Sequence, residues 1–106
     1  MLVGIVTSVN GVSIRLTEER WGHITSQHPE MEAYQTAILE AVASPDRVLD
    51  GGNGQLIAVR SVSRQKWLLV IYREIETQGV IMDGFIVTAF FNQRLRYLEG
   101  KNQLWP

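Results

Sequence analysis

The sequence has no cysteine. That excludes disulfides and thiolate zinc sites, and it makes a reducing, cytoplasmic setting the expectation. No apolar run approaches the roughly 20 residues needed to cross a bilayer as a helix, so no membrane contact is expected. The first residues, Met1-Leu2-Val3-Gly4-Ile5-Val6, carry no basic segment, and Asn10-Gly11 interrupts them. They read as a strand, not as a signal peptide. There is no internal repeat, linker or low-complexity stretch. Only two histidines are present, and net charge is −1. Bulk electrostatics therefore do not mark a nucleic-acid binder.

What is present fits one globular domain. A chain of 106 residues with 45% apolar and 20% charged side chains can bury a core without staples. The charge is unevenly distributed. Residues 1–50 hold three basic and seven acidic side chains, and residues 51–106 hold seven basic and four acidic. Halves of −4 and +3 can offer a local surface for an anion without a high isoelectric point.

Patterning predicts an α+β domain. Residues 2–9 and 12–16 read as strands around Asn10-Gly11, a hairpin signal because both residues tolerate positive φ. Thr17 can cap a first helix, with Glu18 and Glu19 in its first turn and Trp21 and Ile24 on its buried edge. Pro29 disfavours helix at His28 and suits the start of a second helix over about 30–43. There Met31, Tyr34, Ile38, Ala41 and Val42 recur at helical spacing, and Ser44-Pro45-Asp46 ends it. Strands follow at 47–49, 55–60, 67–75 and 80–91. Gln78-Gly79 turns the last two into a hairpin, and Asp83-Gly84 suggests a bulge. The runs Leu68–Tyr72 and Phe85–Phe91 are apolar enough to be buried on both faces. The tail, 92–106, reads as polar with a late Leu104 and Trp105.

The histidines lie five apart around the proline: Trp21-Gly22-His23-Ile24-Thr25-Ser26-Gln27-His28-Pro29-Glu30. On an unbroken helix they would sit about 140° apart. A helix that ends before His28 removes that constraint. Histidine titrates near neutrality and can move protons in ribonuclease chemistry, with Glu30 as orienting group or base. The plainer roles are a helix cap for His28 and a surface residue for His23. As metal ligands, His23, His28 and Glu30 match no familiar spacing, since helical pairs bind at i, i+4. Arg60, Lys66 and Arg73 fall on or beside the two strands that follow the loop 51–54 and could face phosphate oxygens. Strand alternation puts Lys66 and Tyr72 on one face and Trp67 and Arg73 on the other. Thr88 is a hydroxyl inside an apolar strand, where it either bonds within the sheet or meets a phosphate. Trp21 and Trp67 are most simply core, and Trp105 either stacks on a base or pins the tail.

Taken together, Leu16-Thr17-Glu18-Glu19-Arg20-Trp21-Gly22-His23-Ile24, His28-Pro29-Glu30, Ser44-Pro45-Asp46-Arg47-Val48, Leu69-Val70-Ile71 and Ile86-Val87-Thr88-Ala89-Phe90 occur in an order that resembles the phage-associated branch of the barnase–EndoU–colicin–RelE-like (BECR) nuclease superfamily. The resemblance covers about residues 12–92. It implies a single domain in which two N-terminal helical segments pack on a twisted antiparallel β-sheet, barnase/RelE-like in type. It also implies a metal-independent, cofactor-free endoribonuclease of toxin type, with RNA as substrate and an antitoxin or inhibitor protein as partner. His23, His28 and Glu30 would serve acid–base chemistry, Thr88 would stand near phosphate, and Arg60 would be the central basic residue, with Lys66 and Arg73 behind it. The rival expectation is a non-catalytic RNA- or protein-binding module on the same fold. A third is a regulatory partner acting through the Met31/Tyr34 helix or the Leu104-Trp105 tail.

Overall fold

Positive φ decides where the strands reverse. Asn53 and Gly54 (φ 53° and 80°) and Gln78 and Gly79 (φ 54° and 78°) form two-residue turns whose left-handed geometry suits antiparallel hairpins. In the computed structural model, which describes residues 1–106 apart from the side chains of Met82 and Leu95, these turns belong to a four-strand meander. Its strands are β3 (Arg47–Gly52), β4 (Gln55–Ser63), β5 (Lys66–Thr77) and β6 (Val80–Asn92). Two strands precede the meander, β1 (Leu2–Thr7) and β2 (Ser13–Thr17), and β7 (Gln103–Trp105) follows it. All seven form one sheet in the order β1-β2-β6-β5-β4-β3-β7.

The expected architecture is corrected. The sheet is mixed, because β2 runs parallel to β6, pairing Ser13 with Asp83, Ile14 with Gly84 and Arg15 with Phe85. Strand makes up about half of the chain, and the helices are short. They are not two N-terminal segments laid on an antiparallel sheet. α1 (Glu18–Gln27) follows two strands of that sheet, a 3-10 segment (Pro29–Tyr34) separates it from α2 (Gln35–Ala43), and α3 (Leu95–Glu99) lies in the tail. The parallel pairing has a physical cause. The α1–α2 excursion carries the chain away from β2, so β6 meets β2 through a long crossover and not a tight turn. The second helix also begins as a 3-10 turn. Met31 and Tyr34 are three apart and eclipse at that pitch, which buries Met31 and lays Tyr34 on the core. In the tail, β7 pairs with β3 and Leu98 of α3 is buried.

The sheet has a core on each side. On β5, Leu68, Val70 and Tyr72 join Ile14, Leu16, Ile24, Met31, Ile38 and Val42 beneath α1 and α2. Leu69 and Ile71 join Leu49, Ile57, Val59 and Leu98 on the opposite side. The apolar run 68–72 is therefore buried on both faces, as a central strand requires. Gly84 marks the tightest crossing, between β2 and β5. A Cβ there would lie 2.0 Å from the Arg73 carbonyl oxygen and 2.7 Å from Ile14 Cδ1. Among the described residues, no helix is long and apolar enough to cross a membrane.

Candidate functional site

β6 is longer than its partner. β2 pairs only with Asp83–Phe85, which leaves the second half of β6 without a strand on that side. α1 fills the gap. Thr17 caps it by accepting a hydrogen bond from the Arg20 backbone N–H at 3.2 Å. The Arg20 side chain then reaches the strand edge. Ile71 opposes Thr88 and Tyr72 opposes Ile86, so Val87 is the extra residue of a bulge. Arg20 donates to the Val87 carbonyl from Nε at 3.1 Å and from Nη2 at 2.6 Å. A bulge leaves a ladder carbonyl in need of a donor, and a guanidinium fork supplies it.

This clamp delivers His28 to the end of β6. His28 closes α1, donating its backbone N–H to the Ile24 carbonyl at 2.7 Å, and opens the 3-10 segment by accepting from Met31 N–H at 2.9 Å. Its ring stacks on Phe90 at 5.6 Å between centroids, and Phe90 meets Tyr97 edge-on at 6.3 Å. Glu30 Oε2 lies 3.8 Å from His28 Nδ1, and the imidazole is about one-third exposed (32%). A carboxylate beside one ring nitrogen leaves the other free for proton transfer.

Phe91 points to the face opposite Phe90 and floors a cleft of about 660 Å³. Glu30, Tyr34, Lys66, Asn92, Gln93 and Arg94 complete it. Lys66 Nζ lies 4.2 Å above the Phe91 ring, and Tyr34 meets that ring edge-on at 4.9 Å. The Arg94 backbone N–H donates to Asn92 Oδ1 at 2.5 Å, which turns the chain out of the strand at the cleft mouth. Two cations against one carboxylate give the cleft a net positive lining. Glu30 belongs to both halves, touching His28 on one side and the cleft on the other.

The sequence candidates separate into groups. Near the end of β6, Glu30 lies beside His28 on one side and shares the cleft with Lys66 on the other. Thr88 is half-buried on the Phe90 face, two residues and about 7 Å along the strand from the ring that His28 covers. His23 is exposed on α1, about 60° around the helix from Arg20 and on the flank away from the buried Ile24. Arg60 does not reach the cleft. Its Nη1 donates to the Ser44 and Glu40 carbonyls at 2.9 and 3.4 Å, so it caps the end of α2. Arg73 sits seven residues along β5 from Lys66, roughly 23 Å away at strand rise, beside the Gly54 turn. Tyr72 is fully buried, so it cannot touch a substrate. Its hydroxyl has no hydrogen-bond partner among the described residues. Burial pushes the phenol well above its ordinary pKa, and the Glu74 carboxylate adds to that rise.

Sequence reasoning missed Arg20, Tyr34, Phe90, Phe91 and Asn92–Arg94 as parts of this region. The one available signal was the switch from apolar strand to Asn92-Gln93-Arg94, a polar break that places a cation at a strand end. Among the described residues, no three His, Cys, Asp or Glu side chains gather in ligand geometry. No protein-family model, curated protein or solved structure matches the chain.

Proposed function

We propose that this domain is an endoribonuclease that cleaves single-stranded RNA at the end of β6. The observation that carries the reading is the His28–Glu30 pair, 3.8 Å apart, beside a cleft holding Lys66 and Arg94. An imidazole about one-third exposed, with a carboxylate beside Nδ1, has a ring nitrogen free to accept and return a proton. The adjacent cations favour a polyanion and offset the charge that builds on a phosphate.

In this mechanism His28 takes the proton of the 2′-hydroxyl, whose oxygen then bonds to the adjacent phosphorus. The bond from phosphorus to the 5′-oxygen breaks, and that oxygen takes a proton from His23. The products are a 2′,3′-cyclic phosphate and a 5′-hydroxyl. Glu30 orients His28, and Thr88 offers a hydroxyl on the adjoining stretch of β6. A second reading, RNA binding without turnover, is favoured by one observation: neither His23 nor His28 is among the residues that line the cleft.

Incubation with single-stranded RNA containing every dinucleotide step, in EDTA, separates the two. Cleavage leaving cyclic phosphate ends is expected, and His28→Ala should lower turnover by about 10² or more, as for a lost proton carrier. His28→Gln, which keeps a polar side chain at the junction, should show the same loss with an unchanged circular dichroism spectrum. Full activity in both variants would remove His28 from the mechanism. RNA binding that weakens with salt, without cleavage, would leave the binding module.

A further inference from the structure

Catalysis at His28 uses only one side of the Glu30 carboxylate. The cleft on the other side has chemistry of its own. It contains two cations on separate elements, Lys66 at the start of β5 and Arg94 just after β6. It contains two aromatic rings, Tyr34 and Phe91, held edge to face. It also contains the carboxamides of Asn92 and Gln93 and the exposed Glu30 carboxylate. Its volume, about 660 Å³, is within the range of small-molecule sites.

We infer that this cleft is a nucleotide subsite, holding the 5′-phosphate of one nucleotide between Lys66 and Arg94 and stacking its base on Tyr34. The inference rests on the ribonuclease reading for its ligand and deepens it, since it names where the nucleotide next to the cut is held.

The division of labour follows from the residues. Two cations that approach from different elements form a fork for a phosphate, and Arg adds a planar donor set. Lys66 is preorganised, because the Phe91 ring under its ammonium fixes it by cation–π attraction. Tyr34 is fixed from below by its edge-on contact with Phe91, so it can present a ring to a base at little cost in order. Asn92 Oδ1 is engaged by the Arg94 amide. Its Nδ2 donor, the Gln93 amide and Glu30 remain to meet the base edge. A single site thus pairs charge for phosphate with a ring for the base. A simple anion site would need only the former.

The test is titration of the purified protein with adenosine and uridine 5′-monophosphates, followed by calorimetry and by NMR shifts. Inorganic phosphate and the bare nucleosides serve as controls. Saturable one-to-one binding is expected, with shifts confined to Tyr34, Lys66 and 91–94. Phosphate and nucleosides should bind more weakly than the joined molecule. Lys66→Ala and Arg94→Ala should each weaken binding about tenfold, as for a lost charge-assisted contact. Tyr34→Leu should cost a similar factor through lost stacking, and Tyr34→Phe should restore it. Unfolded spectra remove a variant from the comparison, and Arg94→Glu, on an exposed residue, then carries the charge test. No saturation at about 10 mM, a Kd weaker than the affinity scale of functional sites, would overturn the inference, as would equal affinity in the cation variants. Failure of the ribonuclease reading looks different: nucleotides bind at the cleft, but RNA is not cut. RNA cut by the wild-type protein, with no nucleotide bound at the cleft, would refute the subsite alone.

Discussion

Tyr72→Phe should stabilise this protein. Tyr72 is wholly inside, between β4 and β6 and beneath the helices, and its hydroxyl has no partner among the described residues. An unsatisfied buried hydroxyl costs about 1–3 kcal/mol, because it gives up water and receives nothing. Phenylalanine has the same ring and removes that cost. The void left by one oxygen returns only about a few tenths of a kcal/mol. A net gain of about 1–2 kcal/mol corresponds to a rise in Tm of about 4–8 °C per kcal/mol for a domain of this size. Urea and thermal unfolding at pH 7 measure both quantities. The pH dependence gives an independent reading. The folded phenol titrates above its ordinary value, so its contribution is complete below about pH 10. As the pH rises further, the unfolded chain loses this proton first, and stability falls. The Phe variant should fall less steeply over that range. A loss of 1 kcal/mol or more at pH 7 would refute the reasoning, because it would mean that the hydroxyl is bonded in solution. Unchanged RNA cleavage by the variant is also expected, since no substrate reaches this side chain.

Gly84→Ala should cost about 3 kcal/mol or more and can prevent folding, since the Cβ would collide with the Arg73 carbonyl and backbone cannot yield as a side chain does; a denaturant midpoint within error of the wild type would contradict the crossing. Arg20→Ala should cost about 1.5–3 kcal/mol through the lost charged bonds to Val87. Hydrogen exchange should then quicken at 88–92 before the rest of β6, and equal protection would show that the clamp is not what holds the edge. Arg60→Ala should lower stability by about 1 kcal/mol by uncapping α2, with cleavage unaffected; a drop in turnover with the fold intact would return Arg60 to the site.

Local chemistry made much of this readable in advance. Thr17 caps α1, Pro29 ends it, and His28 falls at the junction, because capping and proline geometry act within a few residues. Gln78-Gly79 turns because both residues adopt positive φ. The first hairpin is different. Asn10-Gly11 belongs to a longer loop in which Ser8 N–H donates to the Val12 carbonyl at 2.8 Å and only Gly11 has positive φ. The site was readable only in part, and the reason is distance along the chain. Glu30 and Lys66 share a cleft while 36 positions separate them. Nothing in the pattern around Arg60 distinguishes a phosphate ligand from a helix cap, because that depends on where α2 happens to end. The bulge was expected at Asp83-Gly84. One register shift does adjoin it, between the Ile75–Asp83 and Glu76–Ile81 pairs; the other, at Ile71/Tyr72, was not expected, and Gly84 itself has β5 and β2 close on either side.

By itself the sequence determined the elements whose causes are local: caps, turns, the proline break, strand alternation and the doubly buried run on β5. It also limited the imidazoles to two, His23 and His28. Only the tertiary structure decided that β2 runs parallel to β6, that α1 occupies the unpaired edge, and that Lys66 rather than Arg60 or Arg73 stands beside Glu30. Those outcomes depend on how long each strand runs past its neighbour and on which carbonyls are left open, and both are set by contacts between residues far apart in the chain.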